Sequence, residues 1–165
     1  MKRTHFIRGI GASALLIPSL IKLAIQDPEP QLEKSLVQEF VGAAHRDKEK
    51  VMMLLAEHPT LLNAAHDWQR GDFETALGAA SHVGYKELVL HLIEKGAQIN
   101  IFTACLFGRM DILKPILDNF PKTIHAKGPH GFTLLHHAIE GGEDALEVKA
   151  YLESLGAVEK KIPLY

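Results

Sequence analysis

The sequence predicts an all-α fold, a solenoid of about four stacked helix pairs joined by short finger turns. Three observations lead there. Thr75-Ala-Leu-Gly and Thr133-Leu-Leu-His each open an apolar stretch that ends in Gly-Ala, at Gly96-Ala97 and at Gly156-Ala157. Gly108 lies 33 residues before Gly141, a spacing within the range of helical repeats. The stretch Glu57-His58-Pro59-Thr60-Leu61-Leu62-Asn63 is echoed by Asn119-Phe120-Pro121-Lys122-Thr123-Ile124-His125, two copies of one helix–Pro–loop exit. A lone helix pair cannot bury its apolar face, so three or more must stack and share one continuous apolar seam.

The first pair runs from Leu36 to His58, with Val51, Leu54 and Leu55 as its stripe. The second unit, residues 67–100, is the most complete. Thr75 is suited to cap an inner helix, its hydroxyl accepting an orphan backbone N–H. Leu77, Ala79 and Ala80 follow, the alanines small enough for close helix approach. Gly84 supplies the left-handed conformation of a tight turn. An outer helix from Tyr85 to Lys95 places Leu88, Val89, Leu92 and Ile93 on one face, with Glu87 and Glu94 on the wet side and Gly96 as the stop.

The third unit, Phe102 to Phe120, is shorter. Gly108 follows Gly84 by only 24 residues, so about nine are missing, those of the finger turn and the inner-helix start. Its core is expected from Ala104, Leu106, Ile112, Leu113, Ile116 and Leu117, with Pro115 bending or weakening the outer helix. The fourth unit repeats the first half from Gly131 to Gly142, lengthens its turn at Glu143 and Asp144, and takes its stripe from Val148, Tyr151, Leu152 and Leu155. Gln31, Glu33, Lys34, Glu159 and Lys160 give the end units polar faces. No sheet is expected beyond the finger turns.

Residues 67–100 resemble an ankyrin repeat. The matching positions are Asp67, Gly71, Thr75 through Gly78, Ala79-Ala80, Gly84, Leu92-Ile93, Gly96-Ala97 and Asn100, with Ala76 and Gly78 standing where the family has proline and histidine. The resemblance implies an ankyrin-repeat solenoid in which Thr75, Gly84, Gly96, Gly108, Thr133, His136 and Gly156 are structural motif positions. It also implies that His136 hydrogen-bonds neighbouring backbone, and that finger tips and inner helices form a concave face that grips proteins.

The chain has 165 residues and a formal net charge of −2, unevenly spread. Four of its 18 basic side chains (Lys2, Arg3, Arg8, Lys22) lie near the start, which leaves 14 against 20 acidic ones, or about −6, on the body. Such a surface repels phosphate backbones and excludes nucleic acid as a partner. Residues 1–25 read as an export signal or an N-terminal anchor, and 26–31, with Pro28 and Pro30, as a linker to the repeat domain at 32–165. The uncharged run Gly9 to Ile21 spans roughly 20 Å as a helix, short of the ~30 Å of a bilayer core. Arg3-Thr4-His5-Phe6-Ile7-Arg8-Gly9 resembles the bacterial twin-arginine signal, with Thr4 in place of the second arginine. That resemblance implies export to the periplasm; anchoring by an uncleaved segment, the only membrane contact foreseen, or a cytoplasmic location are the alternatives.

No catalytic set, metal site or cofactor is expected from the sequence. His136 and His137 are adjacent and point about 100° apart on a helix, so they do not share an ion easily. No His-Glu-x-x-His element occurs, and His130 reaches His66 or His82 only if packing brings them together. Cys105, the single cysteine, excludes an internal disulfide or a thiolate cluster and reads as a buried thiol. The candidate partner-binding residues are Trp68, Gln69, Arg70 and Asp72 on the first finger and Lys127 and His130 on the second, because aromatic and arginine anchors concentrate at interface hot spots. Trp68 is either such an anchor or packs onto the next repeat; Phe73 is expected to pack. The missing third finger brings the other two closer and leaves a gap between them. The expected function is a non-enzymatic, monomeric protein-binding module, an adaptor or inhibitor of an unidentified protein. The alternative is a small-ligand or metal-binding protein using the gap near Trp68 and His130.

Overall fold

A computed structural model describes residues 30–165, so the expected export signal or anchor at 1–25 lies outside the described residues, as does all of the linker but Pro30 and Gln31. The chain is mostly helical with one small sheet. Eight α-helices fall into four pairs among the described residues: α1 (Lys34–Ala43) with α2 (Lys48–Glu57), α3 (Ala76–His82) with α4 (Lys86–Glu94), α5 (Ile101–Leu106) with α6 (Met110–Asn119), and α7 (Leu134–Glu140) with α8 (Leu146–Ser154). The inner helices α1, α3, α5 and α7 pack in succession. Strands β1 (Ala65–Asp67) and β2 (Phe73–Thr75) pair antiparallel as the stem of the first finger, with His66 opposite Glu74.

Short polar side chains start the inner helices α3, α5 and α7. Thr75 Oγ1 accepts from the Gly78 N–H at 3.1 Å, Asn100 Oδ1 from Thr103 at 3.0 Å, and Thr133 Oγ1 from His136 at 3.3 Å. Each capping residue has extended backbone, the geometry in which a side-chain oxygen reaches a free N–H of the first turn. Such a cap contributes about 1 kcal/mol. Because Asn100 caps α5 directly after Gly96-Ala97, the third unit has no finger. Gly84, Gly96, Gly108 and Gly156 all adopt the left-handed conformation where helices end. At Gly108 the requirement is twofold, since φ is +62° and a Cβ would sit 1.9 Å from the carbonyl oxygen of Asp144.

Both proline exits form 3₁₀ turns with proline at the start, Pro59–Asn63 and Pro121–His125. Another 3₁₀ turn, Gly142–Ala145, accounts for the lengthened turn of the fourth unit. Pro115 sits inside α6 without breaking it. It is exposed, so water can serve the Asp111 carbonyl that its absent N–H would have bonded.

The core departs from a single seam. Phe40, Val41, Val51, Leu61, Leu77, Leu88, Leu92 and Leu106 belong to one buried cluster, and Cys105, Leu113, Leu117, Leu134, Val148 and Leu152 to another. The division falls on α5, where Leu106 and Cys105 are neighbours pointing about 100° apart. Five stripe positions are also less buried than the pattern predicts: Ile93, Ile112, Ile116 and Tyr151 are half-buried and Leu155 is exposed, because the outer helices turn those flanks to solvent. Phe73, expected to pack, is 62 % exposed, since strand alternation turns it outward and Glu74 inward. None of the helices among the described residues is long and apolar enough to cross a membrane.

Candidate metal centre

Four side chains from three of the helix-pair units meet beneath the fingers. His45 follows α1, Glu74 is the middle residue of β2, His82 ends α3, and His130 lies in the turn Pro129–Gly131 of the second finger. One ligand atom from each lies within 4.8 Å of the corresponding atom of every other. His45 Nε2 is 3.1 Å from His82 Nε2 and 3.6 Å from Glu74 Oε2. His82 Nε2 is 2.9 Å from Glu74 Oε1, and His130 Nε2 is 3.4 Å from Oε2.

Local chemistry places each group. The β1–β2 register buries Glu74, which is 1 % exposed. The His82 ring stacks on Phe132 with centroids 4.8 Å apart. His130 has a left-handed backbone, φ 58°, uncommon for a residue with a Cβ. Asp72 holds it there, Oδ1 accepting from the His130 N–H at 2.8 Å and Oδ2 from Nδ1 at 2.7 Å. His45 donates from Nδ1 to the Gly42 carbonyl at 3.1 Å. In the neutral rings of His45 and His130 the proton therefore sits on Nδ1, and the bare Nε2 lone pair faces the cluster.

Glu74 Oε2 accepts from the Trp68 indole N–H at 2.7 Å, whereas Oε1 has no hydrogen-bond partner. His82 Nε2 is near Oε1 but off the line a hydrogen bond requires. Burial alone would push the Glu74 carboxyl up; the His82 ring and the Trp68 N–H outweigh that and hold it below the ordinary carboxylate range.

These positions bear on the residues singled out by sequence. Trp68 packs, lying edge-on to His66 with centroids 4.6 Å apart. Asp72 and His130 bind each other, so the two fingers are joined. Arg70 lies over the Tyr165 ring at 4.3 Å, and Lys127 Nζ donates to the Pro163 carbonyl at 2.8 Å. Gln69 is exposed. The candidate partner-binding set thus does not form one open patch: three of its members turn inward and two hold the C-terminal segment. His136 Nε2 donates to the His82 carbonyl at 2.8 Å, bracing the second unit against the fourth. His137 is buried and donates from Nδ1 to the Thr133 carbonyl, and burial pushes its pKa down to about 4. Cys105 is buried, its thiol pushed up to about 12.

Sequence reasoning named the approach of His130 to His82 but missed His45 and Glu74. The available signal for Glu74 was period-two alternation between Phe73 and the helix cap Thr75; for His45 it was only a histidine ending an apolar helix. The chain matches no known family, and no curated protein is similar to it.

Proposed function

We propose that this chain is a non-enzymatic, ankyrin-type repeat protein that holds one divalent transition-metal ion, of the zinc class, between its fingers. The ligands are His45, Glu74, His82 and His130. The observation that carries the reading is Glu74 Oε1, a buried carboxylate oxygen without a hydrogen bond, 2.9 Å from His82 Nε2 in a carboxylate that His45 and His130 also approach. A buried polar atom without a partner costs about 1–3 kcal/mol, more for a charged group, and a cation removes that cost.

The donor set selects the ion. Imidazole nitrogens with one carboxylate suit zinc and its neighbours, whereas calcium and magnesium require mostly oxygen ligands. At metal–ligand distances near 2.05 Å, the edges of a tetrahedron are about 3.3 Å. The separations of 3.1 Å between His45 Nε2 and His82 Nε2 and 2.9 Å between His82 Nε2 and Glu74 Oε1 are near that value. Imidazoles that ligate a metal do so in the neutral form, so Glu74 and Asp72 are the acidic groups placed to balance a divalent ion.

The surrounding groups fit the same role. Asp72 and the Gly42 carbonyl orient two rings through Nδ1, and Trp68 occupies the second oxygen of Glu74, leaving Oε1 for the metal. Outer hydrogen bonds of this kind fix the tautomer and raise ligand basicity. Four protein ligands fill a tetrahedral shell and leave no open position for a substrate, which is the arrangement of a structural site. The ankyrin-type assignment rests on the spacing of Thr75, Gly84, Gly96, Thr133 and Gly156 and on the His136 brace.

The test is metal content and linkage. Chelator-treated protein takes up one equivalent of zinc by calorimetric titration, and zinc at 100 times its Kd adds about 2.7 kcal/mol to the unfolding free energy. Glu74→Gln and His130→Ala lose stoichiometric binding; His130 is partly exposed, so its variant is expected to fold. Wild-type protein that binds no zinc at micromolar concentration, with an unchanged melting temperature, overturns the reading.

A further inference from the structure

We infer that the face between the fingers is a docking site for an extended apolar segment of another protein, aliphatic–Pro–aliphatic–aromatic in character, and that the chain's own residues 159–165 occupy it as an intramolecular stand-in. This inference is independent of the metal.

The segment lies extended against Gly131, Phe132 and Thr133, held by main-chain bonds around one isolated antiparallel bridge. Thr133 donates from its N–H to the Lys160 carbonyl at 3.1 Å and from its hydroxyl to the Glu159 carbonyl at 2.6 Å. Ile162 donates to the Gly131 carbonyl at 2.8 Å, and Phe132 bridges Lys161 antiparallel. Addition of an extended peptide to a strand edge is a common recognition mode, with main-chain bonds for affinity and side-chain pockets for specificity. Gly131 makes the approach possible, since a Cβ there would lie 2.0 Å from the Ile162 carbonyl oxygen.

Past Ile162 the mode changes. Residues 163–165 leave Gly131–Thr133 and cross toward the first finger. Lys127 of the second finger binds the Pro163 carbonyl, Leu164 joins a groove with Phe73, Phe102 and Pro129, and Arg70 of the first finger covers the Tyr165 ring. The crossing adds contacts from the first finger that the bonds at Gly131 and Thr133 do not supply. Arg70 and Lys127 have no carboxylate partner among the described residues, so what holds them is one ring face and main-chain carbonyl oxygen. Tyr165 is 72 % exposed, so these contacts hold the segment lightly and a competing peptide can displace it. Two residues expected from sequence to bind a partner are thereby engaged with peptide already.

The probe is a fluorescently labelled peptide with the sequence of residues 159–165 (Glu-Lys-Lys-Ile-Pro-Leu-Tyr), titrated into the full chain by anisotropy. The double variant Ile162→Pro/Tyr165→Ala removes the donor to Gly131 and the ring under Arg70. It is expected to bind the peptide at least tenfold more tightly than wild type, and adding Arg70→Ala and Lys127→Ala is expected to reverse most of that gain. Equal binding by wild type and the double variant, or indifference to Arg70 and Lys127, overturns the inference. Hydrogen exchange on wild type decides the matter should the variant fail to fold: saturating peptide accelerates exchange of the Ile162 amide if the segment is displaced, and an unchanged rate refutes displacement. Zinc content is read separately, so loss of the metal reading leaves these outcomes intact.

Discussion

Asp72 accepts two hydrogen bonds from His130, at 2.8 Å from its main-chain N–H and at 2.7 Å from Nδ1, across 58 residues of sequence. The pair ties the fingers together and aims the opposite ring nitrogen at Glu74. Asp72→Asn removes the charge and makes one side-chain atom a donor. It is expected to weaken zinc binding 10- to 100-fold while leaving the stoichiometry at one, as measured by competition with a chelator of known affinity.

His137 predicts a pH dependence of stability. Its folded pKa is lowered by burial to about 4, below the ordinary 6.5. The unfolded chain therefore takes up the proton first. Above pH 6.5 neither state is protonated and the contribution is intact; as the pH falls from 6.5 toward 4 it is lost, by up to about 3 kcal/mol. Denaturant unfolding with chelator present should show wild type losing about that much more than His137→Gln across the window. Parallel curves for the two proteins would contradict it.

The Cys105 thiol, fully buried and pushed up to about 12, is expected to be inert at pH 8. A disulfide reagent should modify the native chain only as fast as it opens, and the denatured chain within mixing time. Rapid stoichiometric labelling of native protein would place the thiol at the surface.

Gly108→Ala sets a Cβ against the Asp144 carbonyl and forces a left-handed alanine. About 3 kcal/mol or more of stability should go. Gly71→Ala provides the comparison, since φ there is +87° but nothing lies within 4 Å. Only the backbone cost of about 1–2 kcal/mol is expected. Chemical denaturation of both variants measures the difference.

The helix boundaries were readable because their signals are local: Thr75 and Thr133 cap helices within three residues, and Gly84 and Gly156 end them where they stand. The proline exits were readable for the same reason. What local signals do not carry is the direction a side chain takes after stacking. Leu106 and Cys105 both read as buried in sequence and serve different clusters in space. The His/Glu cluster lay further out of reach. His45 and His130 meet only because the fingerless third unit lets the second and fourth approach, and Glu74 reaches them only because β2 alternates. Each residue alone reads as an ordinary surface or core group; the juxtaposition is a property of the stack.

The split of the core at α5 gives the centre a consequence for cooperativity. His45, Glu74 and His82 are carried by the half built around Leu77 and Leu92, and His130 precedes the helix that anchors the half built around Leu134 and Leu152. Without an ion, the two halves are able to open as separate foldons with unequal protection. With one bound across them, partial opening forfeits ligands, so the halves melt in concert and intermediates are depopulated.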